Sequence, residues 1–172
     1  LLPRSLAPLL AFLLGLALVI EHLVVPLPLT DARVPSFYER LAQDADDYAV
    51  LQLPLGWRNS FGTQGAEDTR VQYYQAIHGK RLFGGNTSRS PSSLFDYFAS
   101  LPIVSSIIAL ETYGDVSPEM LARDKELAAD FLNFFDVRYV AVAAPVAGRH
   151  PYDDNYARTL AYLRDTLPLE EV

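Results

Sequence analysis

The sequence predicts an α/β fold: a small, mainly parallel sheet flanked by helices and preceded by one N-terminal transmembrane helix. Three observations carry that expectation. Residues 49–53, AVLQL, and 137–143, VRYVAVA, are short apolar runs of the kind that form buried strands. Helical patterns with their own start signals lie between and after them, the alternation of a layered α/β domain. Residues 6–20, LAPLLAFLLGLALVI, are 15 residues without a charge. The stretch between the two strands is more helical than a doubly wound sheet needs, which keeps α+β as the alternative.

A bilayer span takes roughly 20 apolar residues. Leu1 and Leu2, or Leu23 to Val25, bring the apolar run close to that length. Arg4 on one side and Glu21 on the other favour an inside N-terminus and an outside C-terminus. A cleaved signal peptide is the rival, but no Ala-x-Ala site follows Ile20, so an uncleaved span over residues 1–25 is preferred. A buried helix of a soluble protein is the plain alternative. The chain opens on Leu1 without a methionine and reads as a fragment of something longer or a processed product.

Residues 26–172 then form one domain. Pro26, Pro28 and Pro35 force extended chain, a linker or an edge strand. Residues 36–44 make a short amphipathic helix with Phe37 and Leu41 on one face, and Asp44, Asp46 and Asp47 a solvated turn. Pro54 ends the first strand. Residues 56–68, GWRNSFGTQGAED, read as a long polar loop carrying the single tryptophan beside Arg58. Trp57 and Arg58 together suit a sugar face or a lipid headgroup, and equally a lid over the core. Two short helices follow, over 91–100 and 102–112, whose apolar residues, Leu94, Phe95 and Phe98 and then Ile103, Ile107 and Ile108, predict burial on most sides. Ser117-Pro118-Glu119 is an N-cap, a first-turn proline and an early acid, so a helix runs from there to about Phe135. Residues 151–164 make the last helix, and 167–172 begin a closing strand.

Residues 71–91 hold the densest polar chemistry. Val71, Tyr74 and His78 share one helical face, and Gly79 is the left-handed stop. Lys80 and Arg81 lie just past that end, where the helix dipole favours cations. Gly84-Gly85 makes a bend, Asn86 follows, Arg89 closes the loop, and Ser90-Pro91 opens the next helix. One reading is an anion- or sugar-binding site of His78, Lys80, Arg81, Asn86 and Arg89. The other is a helix cap with a solvated loop.

Other functions find little support. Net charge is −7, which argues against a nucleic-acid partner. There is no cysteine, hence no disulfide and no thiolate metal site. His22, His78 and His150 lack metal-ligand spacing, and Asp153-Asp154 is explained by an acidic helix start. No GxSxG, HExxH or P-loop is present, so no catalytic residue and no cofactor is assigned.

The apolar run, the proline-rich exit, VPSFYERLAQDADDYAVLQLPLGW, QYYQAIHGKRLFGGNTSR and FLNFFDVRYVAV follow one another in order. That series resembles the C-terminal part of bacterial multi-spanning membrane proteins of the glycosyltransferase-C type. The YYQ-x-x-HGK-x-x-x-GG-x-x-SR pattern over 73–89 is its most specific piece. The resemblance implies a last transmembrane helix followed by an extracytoplasmic α/β domain, in the cell membrane. It implies membrane lipid and a polyprenyl-phosphate sugar as partners of the whole protein. The acidic catalytic residue of such enzymes lies in an early outer loop, which this chain does not contain, so the domain is expected to be non-catalytic by itself. The rival class is a non-catalytic binding or structural module of a membrane protein.

Overall fold

The structure is a computed structural model that describes residues 6–23 and 31–171. The chain divides into two units, Leu1–Arg33 and Val34–Val172. In the first, α1 (Ala7–His22) is apolar around its whole circumference. Leu9, Phe12, Leu14 and Ile20 are 55%, 66%, 58% and 62% exposed, so no side of the helix is a core-facing stripe. At about 1.5 Å per residue it is about 24 Å long, short of the roughly 30 Å of a hydrocarbon core. Among the described residues no single helix is long and apolar enough to cross a membrane. The expected edge strand near 22–28 falls mostly outside the described residues, and His22 itself ends α1.

The second unit is built on a three-stranded parallel sheet, so the chain is α/β in outline. β1 (Ala49–Leu53) is central, with β4 (Arg81–Leu82) on one side and β6 (Val137–Val142) on the other. Alternation sends successive side chains to opposite faces. Val50, Tyr139 and Ala141 join Tyr38 and Leu41 of α2 (Ser36–Gln43) and Tyr74 of α3 (Arg70–His78). Leu51, Leu53, Val140 and Val142 pack on the other face, against α5 (Val104–Tyr113), α6 (Pro118–Phe134) and α7 (Tyr152–Thr166). Two helical layers therefore sandwich the sheet.

The remaining elements form a smaller sheet where the sequence suggests only loop. β2 (Trp57–Asn59) and β3 (Gly62–Gln64) are an antiparallel hairpin, and β5 (Gly85–Thr87) pairs with β2 in parallel. The hairpin turn is held by Asn59, whose Oδ1 accepts from Phe61 N and Gly62 N at 2.8 and 3.2 Å. Gly84 and Gly85 are thus not a free bend. Gly84 lies against the Leu55 carbonyl, where a Cβ would overlap the oxygen. Gly79 has φ +67° and ends α3, as the sequence predicts.

Three other expectations are corrected. The helix opened by Ser90-Pro91 starts one residue later, as α4 (Ser92–Ser100) with Pro91 at the N-cap. It buries Phe95 and leaves Leu94 42% exposed, so it is not enclosed on most sides. Residues 167–171 form no strand. The Ser117 start does hold: its Oγ accepts from Met120 N at 3.2 Å. α4 and α5 are apolar enough together to resemble a span, but they are bent by 90°. Val104, Ile107 and Leu110 of α5 are buried in the core.

Candidate functional site

The structure separates the seven residues singled out in the sequence. His78, Lys80 and Arg81 lie at the amino ends of β1 and β4. His78 is buried and stacked on Tyr38 with 5.6 Å between ring centroids. Its Nδ1 accepts from Lys80 N at 3.0 Å, and its buried Nε2 has no partner among the described residues. Burial, and then the nearby Lys80 charge, push its pKa down, so the ring is neutral at pH 7. Lys80 is only 6% exposed. Its Nζ donates to the carbonyls of Asp44 and Asp46, each at 2.6 Å, and sits 4.6 Å from the Tyr48 ring centroid. Arg81 reaches Asp47 at 3.3 Å and Asp136 at 3.0 Å. Arg138 pairs with Asp44 and Asp46 at 3.4 and 2.8 Å. At this end of the sheet the cations therefore tie the acidic 44–47 turn to β4 and β6.

Trp57 is buried, with Phe95 and Phe98 at 4.7 and 5.3 Å, and its Nε1 donates to Thr87 Oγ1 at 3.3 Å. It joins the small sheet to α4 and offers no ring face to a ligand. Asn86 is exposed on β5, and its carbonyl accepts from Gln72 Nε2 at 3.3 Å. Arg89 is exposed, with no hydrogen-bond or ion-pair partner among the described residues. Arg58 is also exposed but belongs elsewhere, at the opposite end of the large sheet.

That opposite end holds a crevice of about 600 Å3. Pro54 follows β1 there, and Ala143 and Ala144 follow β6. Its place follows from topology. The chain leaves β1 through α3 on one face to reach β4, then passes back through α4, α5 and α6 to β6 on the far side of β1. Connections that diverge in this way leave a gap at the carboxyl ends of the two strands, where open α/β sheets bind ligands.

The polar wall of the crevice carries Arg58, Glu67, Asp68, Arg149 and His150. Asp68 is buried and grips Arg70 in a two-pronged pair, Nε to Oδ1 at 3.0 Å and Nη2 to Oδ2 at 2.7 Å. Burial pushes its pKa up, but the bonds from Arg70 and the Arg149 charge outweigh that, so the carboxyl is held below its usual value. Arg149 Nη1 reaches Asp68 Oδ1 at 3.2 Å and the Glu67 carbonyl at 3.3 Å. Asp153, in the first turn of α7, accepts from Val146 N and Arg149 N at 3.1 and 3.0 Å and so fixes the loop that presents Arg149. His150 Nδ1 lies 2.8 Å from Asp154, which raises its pKa and favours the charged ring.

Behind the wall stands Glu111, fully buried on α5. Its carboxylate accepts from Leu55 N at 2.9 and 3.1 Å and from Ala66 N at 2.8 Å. These bonds fasten the segments on either side of the β2–β3 hairpin. Burial pushes its pKa up to about 7 despite them. Glu111 went unrecognised in the sequence, though one acid in the apolar run IVSSIIALETYG is a visible signal. Arg149 and Asp68 had a weaker one, polar loops after or between strand patterns.

The fold and crevice define a class: an α/β domain with helices on both faces of a small parallel sheet and a gap at the carboxyl ends of two of its strands. No family model, no curated protein and no solved structure matches the chain.

Proposed function

We propose that the chain is the extracytoplasmic C-terminal domain of a membrane glycosyltransferase-like protein that uses a lipid-phosphate sugar donor, non-catalytic by itself. The observation that carries this reading is α1. A helix with large apolar side chains exposed on every side is costly in water, at about 25 cal/mol per Å2 of apolar surface, and suits lipid. On this reading residues 1–25 are the transmembrane segment and the domain that follows lies outside the cytoplasm. Asn86 and Arg89, exposed on the segment that carries the family resemblance, face donor or acceptor.

Protease accessibility tests the reading. In intact spheroplasts the full chain should sediment with membranes, and added protease should digest residues 31–171. Recovery of the chain in the cytosolic fraction, or protection until the cells are lysed, would sink it.

A second reading, a non-catalytic binding module of a membrane protein, is favoured by the burial of His78 and Lys80. With those two engaged in structure, residues 71–80 keep little free chemistry for a donor phosphate. The upstream reading frame discriminates: many spans and an acidic pair in the first outer loop favour the transferase, and a single span favours the module.

A further inference from the structure

We infer that the crevice at the carboxyl ends of β1 and β6 is a binding site for a small organic anion, a carboxylate or phosphate on a compact carbon skeleton. We infer further that the Glu67 carboxylate is the internal counter-ion such a ligand displaces. This holds whether or not the chain belongs to a transferase.

The first support is how poorly the two arginines of the crevice are satisfied. Asp68 Oδ1 takes Arg70 N at 3.1 Å, Arg70 Nε at 3.0 Å and Arg149 Nη1 at 3.2 Å. One carboxylate oxygen has two lone pairs, so three donors crowd it, and Arg149 has the longest contact. The Arg149 side chain is 39% exposed, and its Nε and Nη2 have no partner among the described residues. Arg58 is held no better. Its Nη1 alone reaches the Glu67 oxygens, at 3.5 and 3.3 Å, well beyond the roughly 2.7–2.9 Å of a strong charged hydrogen bond.

The second support is Glu67 itself. Its side chain meets Arg58, and its carbonyl meets Arg149. Its side chain is 31% exposed and that of Arg58 54%, so the pair can open without unburying the core. An incoming carboxylate or phosphate can accept from both guanidiniums in their planar, forked geometry, which Glu67 does not reach. The third support is the rest of the lining. Pro54, Ala143, Ala144, Val146 and Pro151 give an apolar bed for carbon atoms, and a cavity of about 600 Å3 is the size of a small-molecule site. His150 stands on the same wall, its charged form favoured by the neighbouring Asp154.

Calorimetric titration of the full chain in detergent, at low salt, tests this with four probes: glucose 1-phosphate, glucuronate, glucose and inorganic phosphate. Both charged sugars should bind and glucose should not. Their ratio tells phosphate from carboxylate, and inorganic phosphate reports the charge alone. Arg149→Gln and Arg58→Gln should each weaken binding about tenfold or more. Glu67→Gln should tighten it several-fold, because the competing carboxylate is gone. Circular dichroism melts check that each variant folds; should Arg149→Gln fail, Arg149→Lys, which keeps the charge and loses the fork, replaces it. Glucose binding as well as glucose 1-phosphate, no binding of either charged sugar, or a Glu67→Gln variant with unchanged or weaker affinity would overturn the inference. None of these outcomes touches the membrane reading, which protease accessibility decides separately.

Discussion

The two ends of the central sheet carry similar numbers of cations and use them differently. At the amino end, Lys80 is buried and holds two carbonyls at 2.6 Å each, while Arg81 and Arg138 pair with four aspartates of the surrounding turns. At the carboxyl end, Arg58 and Arg149 line a cavity, and their side-chain contacts are all 3.2 Å or longer, against 2.6 Å for Lys80 and 2.8 and 3.0 Å for the shortest contacts of Arg138 and Arg81. A cation whose donors are filled by short bonds is part of the fold. One whose donors are loosely held has attraction left for a ligand. Clustering of basic residues along the chain says nothing about which case applies.

The sharpest way to break the comparison is at Lys80. If its role is structural, Lys80→Met should destabilise the domain by about 2–4 kcal/mol, because the Asp44 and Asp46 carbonyls lose a charged donor. Urea denaturation measures this. A loss below about 0.5 kcal/mol would show that water replaces the ammonium freely, and would put Lys80 back among ligand-binding candidates.

Glu111 sharpens it from the other end. Its carboxyl has a pKa of about 7 in the folded protein and an ordinary value of 4.5. The fold thus favours the protonated form. That stabilisation is complete below pH 4.5 and is lost as pH rises through 7. Between about pH 4 and pH 8 the unfolding free energy of the wild type, relative to Glu111→Gln, should fall by roughly 3 kcal/mol. A flat difference would mean that the N–H groups of Leu55 and Ala66 solvate the carboxylate as well as water does.

Arg149 comes next. Its weak contacts imply that Arg149→Gln costs at most about 1 kcal/mol in stability, in the range of exposed pairs. The same change should remove most anion affinity. A thermal melt of the variant with and without glucose 1-phosphate reads both. Loss of stability comparable to that of Lys80→Met would place Arg149 with the structural cations.

Much of the frame is legible in the sequence. AVLQL is buried on both faces, as so short an apolar run predicts, whereas VRYVAV forms the edge strand and is only partly buried, with Arg138 exposed; Gly79 and Ser117-Pro118 mark helix ends by local chemistry alone. The small sheet is not legible. Strands of three residues, such as Trp57–Asn59 and Gly62–Gln64, are too short to show a period, and their pairing with Gly85–Thr87 depends on Gly84 fitting against Leu55. The crevice is illegible for a different reason. Arg58, Asp68 and Arg149 are brought together by strand order, and the crowding of Asp68 Oδ1 exists only once three chain segments meet. The cluster at 78–81 misleads because sequence shows charge and hides whether that charge is already satisfied.

The smallest effect on stability is expected at Arg89, which stands apart from both ends of the sheet. It is exposed in the loop between β5 and α4, with no partner among the described residues. Arg89→Ala should therefore change unfolding free energy by no more than about 0.5 kcal/mol. Function separates the two readings of this residue. If Arg89 meets a donor phosphate, the change should weaken binding of a short-chain polyprenyl phosphate by about 1.5–3 kcal/mol, the range of a charged hydrogen bond. Glucose 1-phosphate binding in the crevice should stay as it was, since Arg89 does not line it. Equal polyprenyl-phosphate affinity in wild type and variant would leave Arg89 a solvated loop cation. A parallel loss of both ligands would instead join the loop and the crevice into one site, and the contrast between loosely held and fully satisfied cations would then extend to the small sheet.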